Sequence, residues 1–115
     1  MATTVMECKT AVKSIEELAD EVKKEFDYDA ELVYQTRKDF ADGAAVLLSF
    51  EKYYLRNGSY ASLTIMLTEN DNVQTADIVA SGGGEGILNW SWGANDSFAK
   101  KAVKILNKYG FAENK

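Results

Sequence analysis

Asn57-Gly58 stands between two β-prone runs, residues 45–55 and 59–68, and constrains this chain more than any other feature. The two central residues of a type I′ turn both need positive φ, and Asn-Gly supplies them at little steric cost. A two-residue loop at 57–58 places Tyr54 opposite Ala61, Lys52 opposite Leu63, Phe50 opposite Ile65 and Leu48 opposite Leu67. Apart from Lys52 that face is apolar or aromatic. The other face carries Tyr53, Leu55, Tyr60 and Met66 among Ser49, Glu51, Ser62 and Thr64. A slip of one residue would exchange the faces, so turn chemistry and hydrophobic alternation support the same hairpin.

The rest of the chain builds outward from that hairpin. Glu69-Asn70-Asp71-Asn72 predicts a second turn into a strand over 73–81. If its loop also has two residues, Ala76, Ile78 and Ala80 join Leu67, Ile65 and Leu63 on the core face. Residues 4–9 and 31–36 read as short strands, Asp42-Gly43 as a turn, and 87–92 as a last strand. Ser14 with Glu17 forms a capping box, and Ile15, Leu18, Ala19, Val22 and Phe26 make one apolar stripe, which predicts a helix. A second helix is expected with Asn95 as its cap, Phe98, Ala102, Ile105, Leu106 and Tyr109 as its stripe, and Gly110 as its stop. The expected fold is a single α+β domain over residues 1–115. It is an antiparallel β-meander of about four to six strands, with two helices (residues about 14–27 and about 95–109) packed on one face.

Composition removes most chemistry. The chain has no histidine, the commonest general base and metal ligand at neutral pH. Its lone cysteine, Cys8, can form neither an internal disulfide nor a Cys/His zinc site. No catalytic, cofactor-binding or metal-binding residue is therefore assigned, and an enzyme is not expected. With 18 acids against 13 bases, and no basic run longer than Lys100-Lys101, the chain lacks the positive footprint that nucleic-acid binding requires. No apolar run approaches a membrane span and no secretory signal is visible, so a cytoplasmic protein is the expectation.

The stretch Ser81-Gly82-Gly83-Gly84-Glu85-Gly86-Ile87-Leu88-Asn89-Trp90-Ser91-Trp92-Gly93 invites a phosphate-binding reading, and its spacing refuses it. A dinucleotide loop needs Gly-x-Gly-x-x-Gly, but counting from Gly82 or Gly84 puts Ile87 or Asn89 at the last position. No lysine follows to make a P-loop, and Glu85 would repel phosphate. Consecutive glycines instead suit a bend or bulge where side chains would clash. Trp90 and Trp92 lie two apart and share one face of a strand. They read either as core beneath the helices or as the floor of a ligand pocket or partner anchor.

The motifs Glu51-Lys52-Tyr53-Tyr54-x-Arg56, Ala61-Ser62-Leu63-Thr64, Ser81-Gly82-Gly83-Gly84-x-Gly86 and Trp92-Gly93-Ala94, with Phe98 beyond them, resemble a family of small uncharacterised bacterial proteins, mainly from Gram-positive species. That family has no assigned activity, so the resemblance implies a bacterial source and transfers no catalytic residue.

The functional expectation is a homo-oligomeric or protein-interaction module, most simply a homodimer. The alternative is a small-molecule or lipid-like ligand module with a pocket between sheet and helices, near Ala76, Ala80 and the tryptophans. Candidate ligand or partner residues are Gly82, Gly83, Gly84, Gly86, Trp90, Trp92, Tyr53 and Tyr60. Tyr53, Leu55, Tyr60, Met66, Leu47 and Val79 gathered on the outer sheet face resemble interface composition, so the homodimer is expected through that face or through the exposed edge strand.

Overall fold

The computed structural model describes residues 2–54, 58–82 and 92–113, with the backbone alone at residues 2, 54, 59 and 92–96. The chain runs β1 (Ala2–Cys8), α1 (Ile15–Glu25), β2 (Glu31–Phe40), β3 (Gly43–Tyr54), β4 (Ser59–Asn70), β5 (Val73–Gly82), α2 (Trp92–Asn107) and β6 (Ala112–Glu113). The strands form one antiparallel sheet in the order β2-β3-β4-β5-β1-β6, with both helices on one side of it. This is the expected α+β architecture.

The turn at Asp71-Asn72 follows the sequence closely. Asn70 pairs with Val73, and the two loop residues have φ of 51° and 69°, both left-handed as a type I′ turn demands. Leu67 faces Ala76, Ile65 faces Ile78 and Leu63 faces Ala80, as the hydrophobic pattern required.

The Asn-Gly hairpin departs from its expected register. Its last pair is Tyr54 with Ser59, so four residues rather than two connect the strands, and Phe50 faces Leu63 while Leu48 faces Ile65. Residues 55–57, including Leu55, lie outside the described residues. A shift of two residues is a whole pleat period, so the buried and exposed faces are unchanged. Leu48, Phe50, Ala61, Leu63, Ile65 and Leu67 are all buried, and Tyr53 and Tyr60 are exposed.

Ser14 caps α1 as a capping box. Its hydroxyl accepts from the Glu17 amide at 3.2 Å, and its own amide donates to Glu17 Oε1 at 3.0 Å. The Ile15, Leu18, Ala19 and Val22 stripe is buried, and Phe26 closes the helix. Phe26 joins the layers: its ring lies 5.1 Å from that of Phe50 on β3 and 5.9 Å from that of Phe98 on α2. α2 packs chiefly on β5 and β1, where Ala76 and Ala80 let it come close.

Three other expectations are corrected. α2 begins at Trp92, so Asn95 lies inside the helix instead of capping it, and Trp92 is helical rather than the end of a strand. The helix end is as expected: Gly110 has φ of 93°, and the Phe111 amide donates back to the Leu106 carbonyl at 3.2 Å. The β2 strand runs on to Phe40 and meets β3 across a two-residue loop at 41–42, because residues 37–40 pair with 43–46 despite their polarity. Finally, the closing element is β6, paired with β1 after α2, which places β1 inside the sheet.

Candidate functional site

The helices cover one face of the sheet, and among the described residues the other is bare. Cross-strand partners in an antiparallel sheet share a face, so the registers identify what that bare face displays. One row runs Thr36, Leu47, Met66, Asp77 and Val5 from β2 to β1. The neighbouring row runs Tyr34, Ser49, Thr64, Val79 and Thr3. At one end Tyr53 faces Tyr60, with ring centroids 4.9 Å apart and planes at 51°. At the other end Phe40 is 62% exposed, a large aromatic ring left in water.

Hydroxyl pairs hold the face between these apolar groups. Ser62 and Ser81 share a hydrogen bond at 2.9 Å across β4 and β5, and Thr68 and Thr75 bond in the same way. Glu7, Lys38 and Asp77 face neutral cross-strand neighbours, whereas Glu31 and Glu51 face each other as a like-charged pair. Apolar groups fixed on flat, rigid strands can be buried against a partner with little loss of backbone freedom.

The two sheet edges differ. β6 ends one edge with two residues. β2 offers ten on the other, interrupted by a bulge between Leu32 and Tyr34 and bearing Lys38, both devices that discourage strand addition. Arg37 on β2 is tied to Asp39, with Nη2 to Oδ1 at 2.8 Å, and to Glu16 of α1. The hydrogen bond to Asp39 raises the guanidinium pKa further and lowers that of the Asp39 carboxyl.

On the helix side, a groove of about 790 Å³ lies along α2, lined by Glu25, Ser97, Lys100, Lys101, Lys104, Ile105, Asn107 and Lys108. Lys101 pairs with Asp29, and its ammonium sits 4.9 Å from the centre of the Phe26 ring. The lysine's hydrogen bond holds the Asp29 carboxyl below the usual carboxylate range. Lys108 pairs with Glu25 at 3.6 Å. Tyr109 Oη donates to Glu21 Oε1 at 3.2 Å, and its phenol is pushed up by desolvation first and by Glu21 second.

Of the candidate residues, Tyr53 and Tyr60 come together on the bare face. Gly82 ends β5 with φ of 80°, and a Cβ there would lie 2.5 Å from the Tyr60 carbonyl oxygen, so the strands meet where only glycine fits. Gly83, Gly84, Gly86 and Trp90 lie outside the described residues, and Trp92 contributes the first residue of α2. Ala76 and Ala80, expected near a ligand pocket, are fully buried in the core cluster. Sequence reasoning missed the lysine groove, because Lys100, Lys101 and Lys104 read along the chain only as a solvated face, and Lys108 entered no pattern there. Their four-residue spacing was the available signal.

Cys8 is buried, its thiol near the Thr10 and Tyr109 carbonyls at 3.4 and 3.7 Å. Gln74 is buried beside it in the register; its amide nitrogen donates to the Lys13 carbonyl and to Glu69. Among the described residues, no group of three or more His, Cys, Asp or Glu could hold a metal ion. No helix among them is long and apolar enough to cross a membrane.

Fold and surface together define a small open-sheet α+β domain with one helix-covered face and one bare face. The chain belongs to a family of unknown function, DUF6054, whose model matches residues 1–110. No curated protein and no solved structure matches it.

Proposed function

We propose that this protein is a homo-oligomeric interaction module whose bare sheet face docks on the same face of a second copy. The observation that carries this reading is the size and composition of that face. Five strands spaced about 4.8 Å apart, each about ten residues long at 3.3 Å per residue, present roughly 800 Å² in projection. A stable interface takes about 800 Å² from each partner. Tyr34, Phe40, Tyr53, Tyr60, Met66 and Val79 are exposed there, with a few charges and hydroxyl pairs between them. A two-fold axis parallel to the face, in the plane between the two copies, would pack the sheets about 10 Å apart, the arrangement of β-sandwiches.

The guarded β2 edge favours the face over edge-to-edge pairing. Light scattering at micromolar concentration tests the reading. The wild type is expected at twice the monomer mass and Tyr53→Glu at the monomer mass, with the circular dichroism of the two unchanged. A wild type that is monomeric at that concentration overturns it.

A further inference from the structure

Charge and aromatic side chains divide between the two ends of the bare face. Among the described strand residues, Lys38 is the one basic side chain that the registers place there, toward the Phe40 end. Glu31 and Glu51 face each other toward the Tyr53–Tyr60 end. All three are exposed, and none forms an ion pair among the described residues. Glu7, in the same cross-strand row as Lys38, already has Lys9 at 4.0 Å. Counted along β3, the two ends mirror each other. Lys38 pairs with Ala45 and Glu31 with Glu51, three residues to either side of Leu48. Phe40 pairs with Gly43, five residues before Leu48, and Tyr53 stands five residues after it.

We infer that the two-fold axis of the dimer crosses the strands at the Leu48–Ile65 pair, so that Lys38 of each copy lies over the partner's Glu31 and Glu51 and selects the partner. The inference rests on the proposed docking of bare face on bare face. Such an axis turns one copy end for end, and each strand lies over its own counterpart. The Lys38 ammonium, on its flexible stem, then settles between two carboxylates that repel each other in the single chain. Covering those carboxylates without a cation would cost more than the contact returns. The same axis brings Phe40 beside the partner's Tyr53, which itself lies over Gly43, where no side chain competes for the space. Asp77 falls over the partner's Val79, whose row supplies the Thr64 and Thr3 hydroxyls as donors. An axis along β4 would instead bring Lys38 to the partner's Glu7, leave Glu31 and Glu51 without a cation, and keep Phe40 away from the tyrosines.

Lys38→Glu and the double variant Glu31→Lys/Glu51→Lys test the axis by sedimentation equilibrium, each alone and the two mixed. Alone, each is expected to dissociate at least about tenfold more readily than the wild type, because like charges then meet at both ends of the contact. The double variant is the sharper case, since it lowers the net negative charge of the chain and should still self-associate less. Mixed in equal amounts, the two variants are expected to form a heterodimer with affinity close to that of the wild-type dimer, because both contacts then join opposite charges. Circular dichroism should be the same for all, the three positions being exposed. A monomeric wild type overturns the face-to-face docking and the axis with it. A dimeric wild type whose affinity is unmoved by Lys38→Glu, or a mixture that yields no heterodimer, overturns the axis alone. Rescue of Lys38→Glu by Glu7→Lys in the same chain overturns it in favour of an axis along β4.

Discussion

Tyr53 and Tyr60 face each other at one end of the β3–β4 ladder, rings 4.9 Å apart, and both remain about half exposed, at 47% and 60%. An aromatic pair so placed lends modest stability to the hairpin, about 0.5–1 kcal/mol beyond its area. It also presents a rigid apolar corner that no other part of the described chain covers.

If that corner is part of the contact between copies, Tyr60→Glu should act as Tyr53→Glu does. Each is expected to raise the dimer dissociation constant at least tenfold, which is about 1.4 kcal/mol. Lys104→Glu, on the opposite side of the sheet, should leave it unchanged. Sedimentation equilibrium on the three variants separates an effect of the face from a general effect of added negative charge.

Gly43 begins β3 where β4 runs closest. A Cβ there would sit 1.8 Å from the Glu69 carbonyl oxygen and 2.9 Å from its carbon, both backbone atoms that cannot swing aside. Gly43→Ala must therefore push the strands apart at the first pair of their ladder. A loss of about 2–4 kcal/mol is expected, read from the urea midpoint.

Ser14 satisfies one exposed amide at the start of α1, and Glu17 reaches back to satisfy a second. Ser14→Ala should cost about 1 kcal/mol, and Ser14→Asp should restore most of it. Urea denaturation of the three proteins at neutral pH measures both effects.

Asp29 and Lys101 join the segment after α1 to α2. Because the lysine lowers the carboxyl's folded pKa, its contribution is present above the unfolded value, about 3.9. It is lost as pH falls through the lower folded value. Both side chains are at least a third exposed, so the stabilisation should stay below about 1 kcal/mol. The stability difference between wild type and Asp29→Asn should be largest near pH 7, shrink below pH of about 4 and vanish in stronger acid. A difference that grew on acidification would refute this account.

Much of the fold was legible because it depends on neighbours in sequence. The Ser14–Glu17 box, the Ile15 to Phe26 stripe, the Asp71-Asn72 turn and the stop at Gly110 each rest on groups a few residues apart. The two sheet faces were legible for a related reason. Side-chain alternation survives a two-residue change in the β3–β4 loop, so the error in register left Tyr53 and Tyr60 on the exposed side. The bare face, the better-placed half of the candidate site, followed from the same alternation.

Other features depended on partners far away in the chain. β2 extends to Phe40 because β3 offers it a ladder, although Arg37, Lys38 and Asp39 have little strand preference of their own. α2 starts at Trp92, ahead of the residue whose side chain suited a cap. β1 lies inside the sheet because β6 returns beside it, a pairing of residues 6 and 7 with 112 and 113 that no local pattern announces. The lysine groove exists because α1 ends beside α2 and brings Glu25 within reach of Lys108. Alternation, caps and tight turns act over a few residues and can be read along the chain. Strand order, helix length and the walls of a groove are settled by contacts between distant segments, whose energies no short window of sequence contains.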